Sequence, residues 1–393
     1  MLEPAAIDRV EPLPAEATLE FTVLMPCLNE AETLATCIRK ARASIERMKL
    51  QAEVVIADNG STDGSQAIAR AEGARVVDVP VRGYGAALYH GTMAARGRYV
   101  IMGDADDSYD FSRLDAYVDR LREGNDVVMG NRFQGGIRPG AMPWKNRYLG
   151  NPVLSGIGKL FFRCPVGDFH CGMRGFSREA FQKMRLQTTG MEFASEMVVN
   201  SLRAELKIHE IPITYRPRIG ESKLSGLRDA WRHVRFMLLF SPSYLFQLPG
   251  LFLMIAGGLV MALLAGGPRE IFGRTWDYHV LILGAAALIL GYNLVLFDVF
   301  AKTFSMGAGF ARPRQWLGRL HRWFSLERGL ILGLALFLAG LGLEVKILLD
   351  WLGSGSGPLM AVRGVVIGMT AMVMGAQTVF ASFLVSLMLI ERR

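Results

Sequence analysis

Only four cysteines occur among the 393 residues: Cys27, Cys37, Cys164 and Cys171. They are too few and too unevenly spaced for a secreted disulfide framework. Cys164 and Cys171 flank His170, but no second ligand pair stands at zinc spacing, and reduced thiols in a cytoplasm-facing domain are the expected state. The first residues carry Glu3, Asp8, Glu11 and Glu16 among prolines. Without a basic stretch or an apolar core they are no signal peptide, and residues 1–18 read as a flexible lead. No nucleic-acid recognition motif accompanies the formal charge of +8. That charge instead suits an anionic membrane face or a phosphorylated substrate. Gly83-Tyr84-Gly85 lacks the third glycine of a dinucleotide fingerprint and follows the third predicted strand, which argues against a dehydrogenase.

What is present is unevenly distributed. The chain is 51% hydrophobic, with most of the apolar excess after Ser243. Before it, short apolar runs at Phe21–Met25, Glu53–Ala57, Ala74–Val79 and Arg98–Met102 predict strands. Helical patterns over Glu30–Met48, Asp63–Glu72 and Ala86–Ala95 separate them. Such alternation implies parallel β-α-β units with both sheet faces covered. Ligands of such sheets bind beyond the carboxyl ends of the strands. Each polar cluster falls there: Asn29-Glu30, then Asp58-Asn59-Gly60-Ser61, then Arg82-Gly83-Tyr84-Gly85, then Asp104-Ala105-Asp106-Asp107-Ser108-Tyr109-Asp110.

The last cluster carries the chemistry. Asp104 and Asp106 form a D-x-D pair at the end of a buried strand. Carboxylates held there suit a hard divalent cation, Mg²⁺ or Mn²⁺, which would neutralise charge on a departing diphosphate. In Pro26-Cys27-Leu28-Asn29-Glu30, Glu30 suits ribose hydroxyls, while Asp58 suits a base N–H that uracil and guanine both offer. Helix capping is the competing explanation here, since Asn29 and Asp63 are good N-terminal residues.

Four apolar spans follow, at about 244–267, 278–301, 329–351 and 362–390, each beyond the roughly 20 residues a transmembrane helix needs. Residues 302–328 carry Arg312, Arg314, Arg319, Arg322 and Arg328, whereas Gly353–Pro358 is uncharged. The positive-inside rule puts that loop, the N-terminal domain and Arg392-Arg393 in the cytoplasm. Trp316, Leu317, Leu320, Trp323 and Phe324 among the arginines predict an interfacial helix within it. Asp298, Glu344 and Lys346 are read as snorkelling interfacial groups in preference to a transport path. Leu224–Phe240, with Trp231 and Phe236 beside Arg228, Arg232 and Arg235, reads as an amphipathic juxtamembrane helix with His233 at the interface.

Taken together, Met25–Glu30, Val55–Asp63, Tyr99–Asp110, Gly130-Asn131-Arg132-Phe133, Asp168–Phe176 and Ser222-Lys223 resemble the family 2 glycosyltransferases of GT-A fold. More narrowly they resemble the polyprenyl-phosphate sugar synthases, typified by dolichyl-phosphate mannose synthase. The likeness runs roughly from Phe21 to Pro242, and the four-span tail is similar to those of membrane-anchored bacterial members. It implies an α/β GT-A domain (a Rossmann-like mixed sheet) followed by an α-helical transmembrane domain. The expected boundaries are 1–18 lead, 19–222 catalytic, 223–242 juxtamembrane and 243–393 transmembrane.

The implied reaction is an inverting transfer of a hexose from UDP-glucose or GDP-mannose to a polyprenyl phosphate, with N-acetylhexosamine also allowed. The resemblance matches Asp104 and Asp106 to metal-site aspartates. Ser108 stands as the third metal-site position, where the family often has Gln. Arg132 is matched near the phosphates, Asp168 facing the acceptor, and Arg174, Ser222 and Lys223 near anionic groups. Pro26, Asn29, Glu30, Asp58 and Asp104 line the donor. Glu196, in Met191–Glu196, is matched either to sugar hydroxyls or to an arginine. The implied partners are the nucleotide sugar, the polyprenyl phosphate and membrane lipids, with a second copy of the chain allowed and nucleic acid excluded. Both termini are expected in the cytoplasm. A processive polysaccharide synthase is disfavoured because Gln-x-x-Arg-Trp is missing. A non-catalytic scaffold or flippase is disfavoured by the intact carboxylates.

Overall fold

Along Phe21–Cys27 the side chains alternate between two cores. Phe21, Val23, Met25 and Cys27 join Val54, Ile56, Tyr99 and Ile101 on one sheet face. Leu24 joins Val55, Ala57, Val100 and Met102 on the other. A period of two with both faces apolar is the mark of a strand buried on both sides. The computed structural model describes residues 19–162, 164–219, 226–307, 326–355, 357 and 359–389. The predicted lead 1–18, Ser222, Lys223, the interfacial helix around Trp316–Phe324 and Arg392-Arg393 lie outside the described residues. By its contacts the chain divides into two units, Met1–Phe240 and Ser241–Arg393.

In the first unit, β1 (Leu19–Cys27), β2 (Ala52–Asp58), β3 (Arg75–Asp78), β4 (Gly97–Met102), β5 (Val127–Asn131), β6 (Arg174–Ser177) and β7 (Ile208–Pro212) make one seven-stranded sheet. The order is β3-β2-β1-β4-β6-β5-β7. Parallel pairing of β1 sets Cys27 beside Asp58 and Leu24 beside Met102, so three carboxyl ends open side by side. β6 runs antiparallel to β4 and β5, which makes the sheet mixed.

Helices cover both faces. α1 (Ala31–Arg47) buries Leu34, Cys37, Ile38 and Ala41 at helical spacing. α2 (Ser65–Ala71) and α3 (Tyr84–Ala94) complete the β-α-β units, and α3 buries small residues nearly all round. Then come α4 (Asp115–Arg122), α5 (Arg132–Gly135), a π-helical turn at Asn146–Gly150, α6 (Asn151–Phe162), α7 (Arg178–Met184), α8 (Phe193–Arg203) and α9 (Gly226–Leu239). All four cysteines are buried. Burial pushes the Cys37 and Cys171 thiols up to about 12 and that of Cys164 to about 11.

The segment expected to lie on the membrane, α9, instead turns one face inward. Phe236 and Met237 are buried in the domain core. The buried His233 ring meets Ser195 Oγ at 2.8 Å and packs edge-on against His170. The interfacial reading of His233 is therefore corrected: the ring is a core group. Trp231 remains exposed.

The second unit contains α10 (Leu248–Leu264), a short β8 (Arg269–Ile271) and β9 (Arg274–Trp276) hairpin, α11 (Tyr278–Gly307), α12 (Leu326–Gly353) and α13 (Val362–Leu389). Four helical spans, Ser243–Leu264, Tyr278–Ser305, Leu326–Gly353 and Val362–Leu389, are long and apolar enough to cross a membrane. They pair through glycines. A Cβ on Gly257 would stand 2.5 Å from the Gly284 carbonyl, and one on Gly250 2.9 Å from that of Gly291. The same arrangement recurs between α12 and α13, where Gly333 faces the Gly375 carbonyl and Gly340 that of Gly368. In both pairs the glycines are seven residues apart on each helix, two turns of a supercoiled pair. Without side chains in the seam, the backbones touch.

Two ionisable groups read as snorkelling do something else. Asp298 is 1% exposed and pairs with Lys302, which also donates to Gln247. Glu344 lies back across Gly368, with its Oε1 buried. Lys346 is exposed.

A Gly340→Ile substitution drives a branched side chain into the α13 backbone. It is expected to destabilise the detergent-solubilised chain by about 1–3 kcal/mol, read as a lower thermal midpoint. An unchanged midpoint would mean that the two helices do not meet at this seam.

Candidate active site

Everything at this site hangs on the loop that leaves β4. Its backbone is tied to α1, since Thr33 Oγ1 donates to the Ala105 carbonyl at 2.6 Å. Asp107 adopts a left-handed φ of 58° and accepts from Lys40 Nζ. From the far side, Tyr109 Oη accepts the Gly172 N–H at 2.8 Å. The segment after β7 runs alongside, with Arg216 N donating to the Ser108 carbonyl and Ile219 N to that of Asp106.

Within that frame the two aspartates of the D-x-D pair are oriented separately. Asp104 Oδ1 accepts from Tyr84 Oη at 2.9 Å. Asp106 Oδ1 accepts from Ser108 N and Oγ, and its Oδ2 meets Arg218 Nη2 at 3.0 Å. Burial, then the nearby Asp106 charge, push the Asp104 carboxyl up to about 7. Asp104 Oδ2 lies against Gly172, where a Cβ would stand 2.8 Å away. The donor set is therefore two hard oxygens, Asp104 Oδ2 and Asp106 Oδ2, whose mutual repulsion a divalent ion would relieve. Mg²⁺ and Mn²⁺ suit that set, because they take one or two carboxylates and complete their shell with water or substrate phosphate.

Ser108 supports its neighbour. Fully buried, it donates its hydroxyl to Asp106 and fixes the orientation of that aspartate.

At the end of β2, Asp58 is 1% exposed. Its Oδ2 accepts from Gly60 N, Ser61 N and Gln66 Nε2, while the buried Oδ1 has no partner. Burial alone would raise this carboxyl, but hydrogen bonds from Ser61, Gln66 and Gly60 outweigh it and hold the group below the usual range. One buried acceptor is thus left for an incoming donor.

Beside it, Asn29 Oδ1 accepts from Thr62 N, and Asp63 Oδ2 accepts from Ala31 N at the start of α1. Asp63 thus caps α1 from a neighbouring loop while its Oδ1 holds Ser65 of α2. Glu30 precedes α1 without a side-chain cap. Pro26 pairs with Ala57 on β2. Asn59 ties down the third loop, donating to Val79 and Val81 carbonyls and accepting Gly83 N. Gly83, at φ 143°, packs so closely on Thr189 that a Cβ would fall 2.1 Å from its carbonyl.

Asp168 and Arg132 form a closed pair. Arg132 Nε and Nη2 donate to the two carboxylate oxygens at 2.7 and 2.8 Å, and Arg132 N adds a third bond at 3.0 Å. The Arg132 guanidinium also lies over the Tyr215 ring. Asp168 is 0% exposed, and both of its oxygens are bonded to Arg132.

Two more matched residues are bonded to the protein's own backbone. Arg174 directs Nε, Nη1 and Nη2 at the carbonyls of Cys171, Ala194 and Phe169. Fully buried, it stitches the 168–174 turn to α8. Glu196 accepts from Gln187 N, Thr188 N and Thr188 Oγ1. It holds the loop that packs on Gly83, and among the described residues no arginine pairs with it. Burial raises its carboxyl.

Reading the sequence missed Arg216 and Arg218 as direct partners of the acidic loop. Their spacing in Tyr215-Arg216-Pro217-Arg218, extended by proline, was the available signal. It also missed an exposed apolar stripe, Trp144, Tyr148, Leu149 and Val153, beside Lys145 and Arg147. That stripe was legible from its helical spacing.

The glycosyl transferase family 2 model matches residues 22–185, and the glycosyltransferase family 2 C-terminal transmembrane region matches residues 299–389. The chain is 40% identical over 368 residues to the low-salt glycan biosynthesis hexosyltransferase Agl6 of Haloferax volcanii, covering 93% of this chain and 88% of that protein. It is 33% identical over 207 residues to a dolichyl-phosphate hexose transferase of the same organism, covering 52% of this chain and 86% of that protein. A solved structure of glucosyl-3-phosphoglycerate synthase from Mycobacterium tuberculosis, in complex with Mn²⁺ and UDP-glucose, is 25% identical with a TM-score of 0.45. That match covers 57% of this chain and 79% of that chain.

Asp168→Ala leaves the Arg132 guanidinium buried without its counter-charge. It is expected to cost about 3–5 kcal/mol of stability, with Asp168→Asn costing less because the shape is kept. Denaturant unfolding of the two variants checks this, and wild-type stability for Asp168→Ala would contradict the closed pair.

Proposed function

The chain belongs to glycosyl transferase family 2, and from that premise we propose that it moves a hexose from a nucleotide-diphosphate sugar to a polyprenyl phosphate at the cytoplasmic face of a membrane. One observation carries this reading. The carboxyl ends of β2 and β4, flanking β1, carry side by side an unpartnered buried acceptor (Asp58 Oδ1) and two carboxylate oxygens (Asp104 Oδ2, Asp106 Oδ2). A nucleoside diphosphate offers the matching parts: a base N–H and two phosphates. The Haloferax volcanii relatives support the rest, since one is described as a hexosyltransferase and the other as a dolichyl-phosphate hexose transferase.

In this proposal Asp58 receives the base, Glu30 lies toward the ribose, and Asp104 and Asp106 hold Mg²⁺ or Mn²⁺. When bound, that ion supplies charge neutralisation for the departing diphosphate. A phosphate oxygen of the acceptor attacks the anomeric carbon as the bond to the diphosphate breaks, and the bonding electrons leave with the nucleoside diphosphate. A phosphate monoester, with a second pKa near 6, is already mostly a dianion at neutral pH. It needs orientation and charge relief more than it needs a base. That requirement fits Asp168, whose oxygens are bonded to Arg132. The aspartate fixes the guanidinium and leaves the Nη1 group, outside that pair, for the incoming anion. Ser222 and Lys223 add cationic and polar contacts in the same proposal. The exposed Trp144, Tyr148, Leu149 and Val153, with Lys145 and Arg147 beside them, support seating at a lipid surface. The arginine-rich 302–328 loop supports the cytoplasmic orientation.

With purified full-length protein, a divalent ion and undecaprenyl or dolichyl phosphate, label from UDP-glucose or GDP-mannose is expected in a mild-acid-labile lipid. Asp106→Ala should lower the rate by about 10²–10³-fold, the loss typical of removing one stabiliser of transition-state charge. A folded Asp168→Asn protein should lose less. No labelled lipid with any donor and acceptor pair would sink the proposal, and equal losses in the two variants would make Asp168 an obligatory base.

A further inference from the structure

The segment Thr214–Ile219 lies along the acidic loop as a strap, bonded by backbone at Ser108 and Asp106, and it delivers two guanidinium groups. Arg216 pairs with Asp110 at 2.5 Å. Arg218 Nη2 sits 3.0 Å from Asp106 Oδ2, the oxygen that Ser108 leaves over. The Nε donors of both arginines are buried and have no partner. Each side chain is therefore half used: one edge neutralises a carboxylate, and one N–H awaits an acceptor. A buried unpaired N–H is costly, and a phosphate oxygen is the acceptor such a fork fits best.

Resting on the reading that this crevice takes a divalent ion and a nucleoside diphosphate, we propose that Arg218 is an internal competitor for the metal at Asp106, displaced onto the diphosphate when nucleotide binds. A divalent ion held by Asp106 Oδ2 would share that oxygen with the Arg218 guanidinium, and like charges in a buried site disfavour one another. Metal alone must evict Arg218 with no anion to receive it. Metal arriving with a diphosphate gives the guanidinium a new acceptor, and Nε gains the partner it lacks. Metal uptake is thereby coupled to nucleotide, and by linkage nucleotide uptake is coupled to metal by the same factor.

Mn²⁺ binding to the full-length protein, followed by the electron paramagnetic resonance signal of free Mn²⁺, tests this without turnover. Titrations are run alone and with UDP or GDP, on wild type, Arg218→Gln, Arg218→Lys and Arg216→Gln. Arg218→Gln is expected to bind Mn²⁺ alone about tenfold more tightly and to show a smaller further gain from nucleotide. Arg218→Lys, which keeps the charge, should stay near wild type, and so should Arg216→Gln, whose partner is Asp110. If wild type binds Mn²⁺ with nucleotide but Arg218→Gln matches it, or binds more weakly, for Mn²⁺ alone, the competitor role is overturned and the site reading stands. If wild type binds no Mn²⁺ even with UDP and GDP, both fall together.

Discussion

Gathering carboxylates at one end of a buried sheet is the constraint that organises the first unit. Charge removed from water must be met by a counter-charge, by hydrogen bonds or by a proton, and this domain uses all three. Asp168 has Arg132, Asp107 has Lys40, Asp110 has Arg216 and Asp106 has Arg218. Asp58 is held ionised by backbone and amide donors. Asp104, which accepts a tyrosine hydroxyl, has its carboxyl pushed up to about 7 by burial and the Asp106 charge. The partners come from α1, α3, α5 and the segment after β7. Elements far apart in the chain are fixed against one another by the need to balance the carboxylates at one end of the sheet.

The same constraint explains what could be read from the sequence. β1 to β4 were legible because each is an apolar run that ends in a polar cluster, and parallel strands put those ends together. Asp104, Asp106 and Asp58 could be singled out for the same reason. The roles of Arg174, Glu196 and Ser108 could not. A charged residue in a family motif looks alike whether its partner is a substrate or its own backbone. Arg174 satisfies three carbonyls and Glu196 the loop at Gln187-Thr188, contacts between segments whose proximity no local pattern reveals. His233 misled for a related reason. An amphipathic helix near a hydrophobic tail invites a membrane reading, yet its inner face fills the domain's own core.

Placement of ionisable groups in the second unit follows a different logic, because no water is at hand to share the burden. Asp298 and Lys302 neutralise each other one helical turn apart and recruit Gln247. Apolar periodicity signalled four helices but carried no sign of this. The glycines were visible in the sequence, but their significance depended on which helix each one faced.

Those glycines also limit how the membrane region can move. Where carbonyl meets backbone at two levels two turns apart, neither helix can roll about its axis or slip by a residue without collision. Each hairpin therefore has the freedom of a single body. The joint between the hairpins is softer by comparison, made by side chains such as the Tyr292 and Thr378 hydroxyls and the Arg363–Asp277 pair. Deformation imposed by a changing bilayer thickness would then be absorbed at that joint, with two stiff plates pivoting against each other in place of four separate rods.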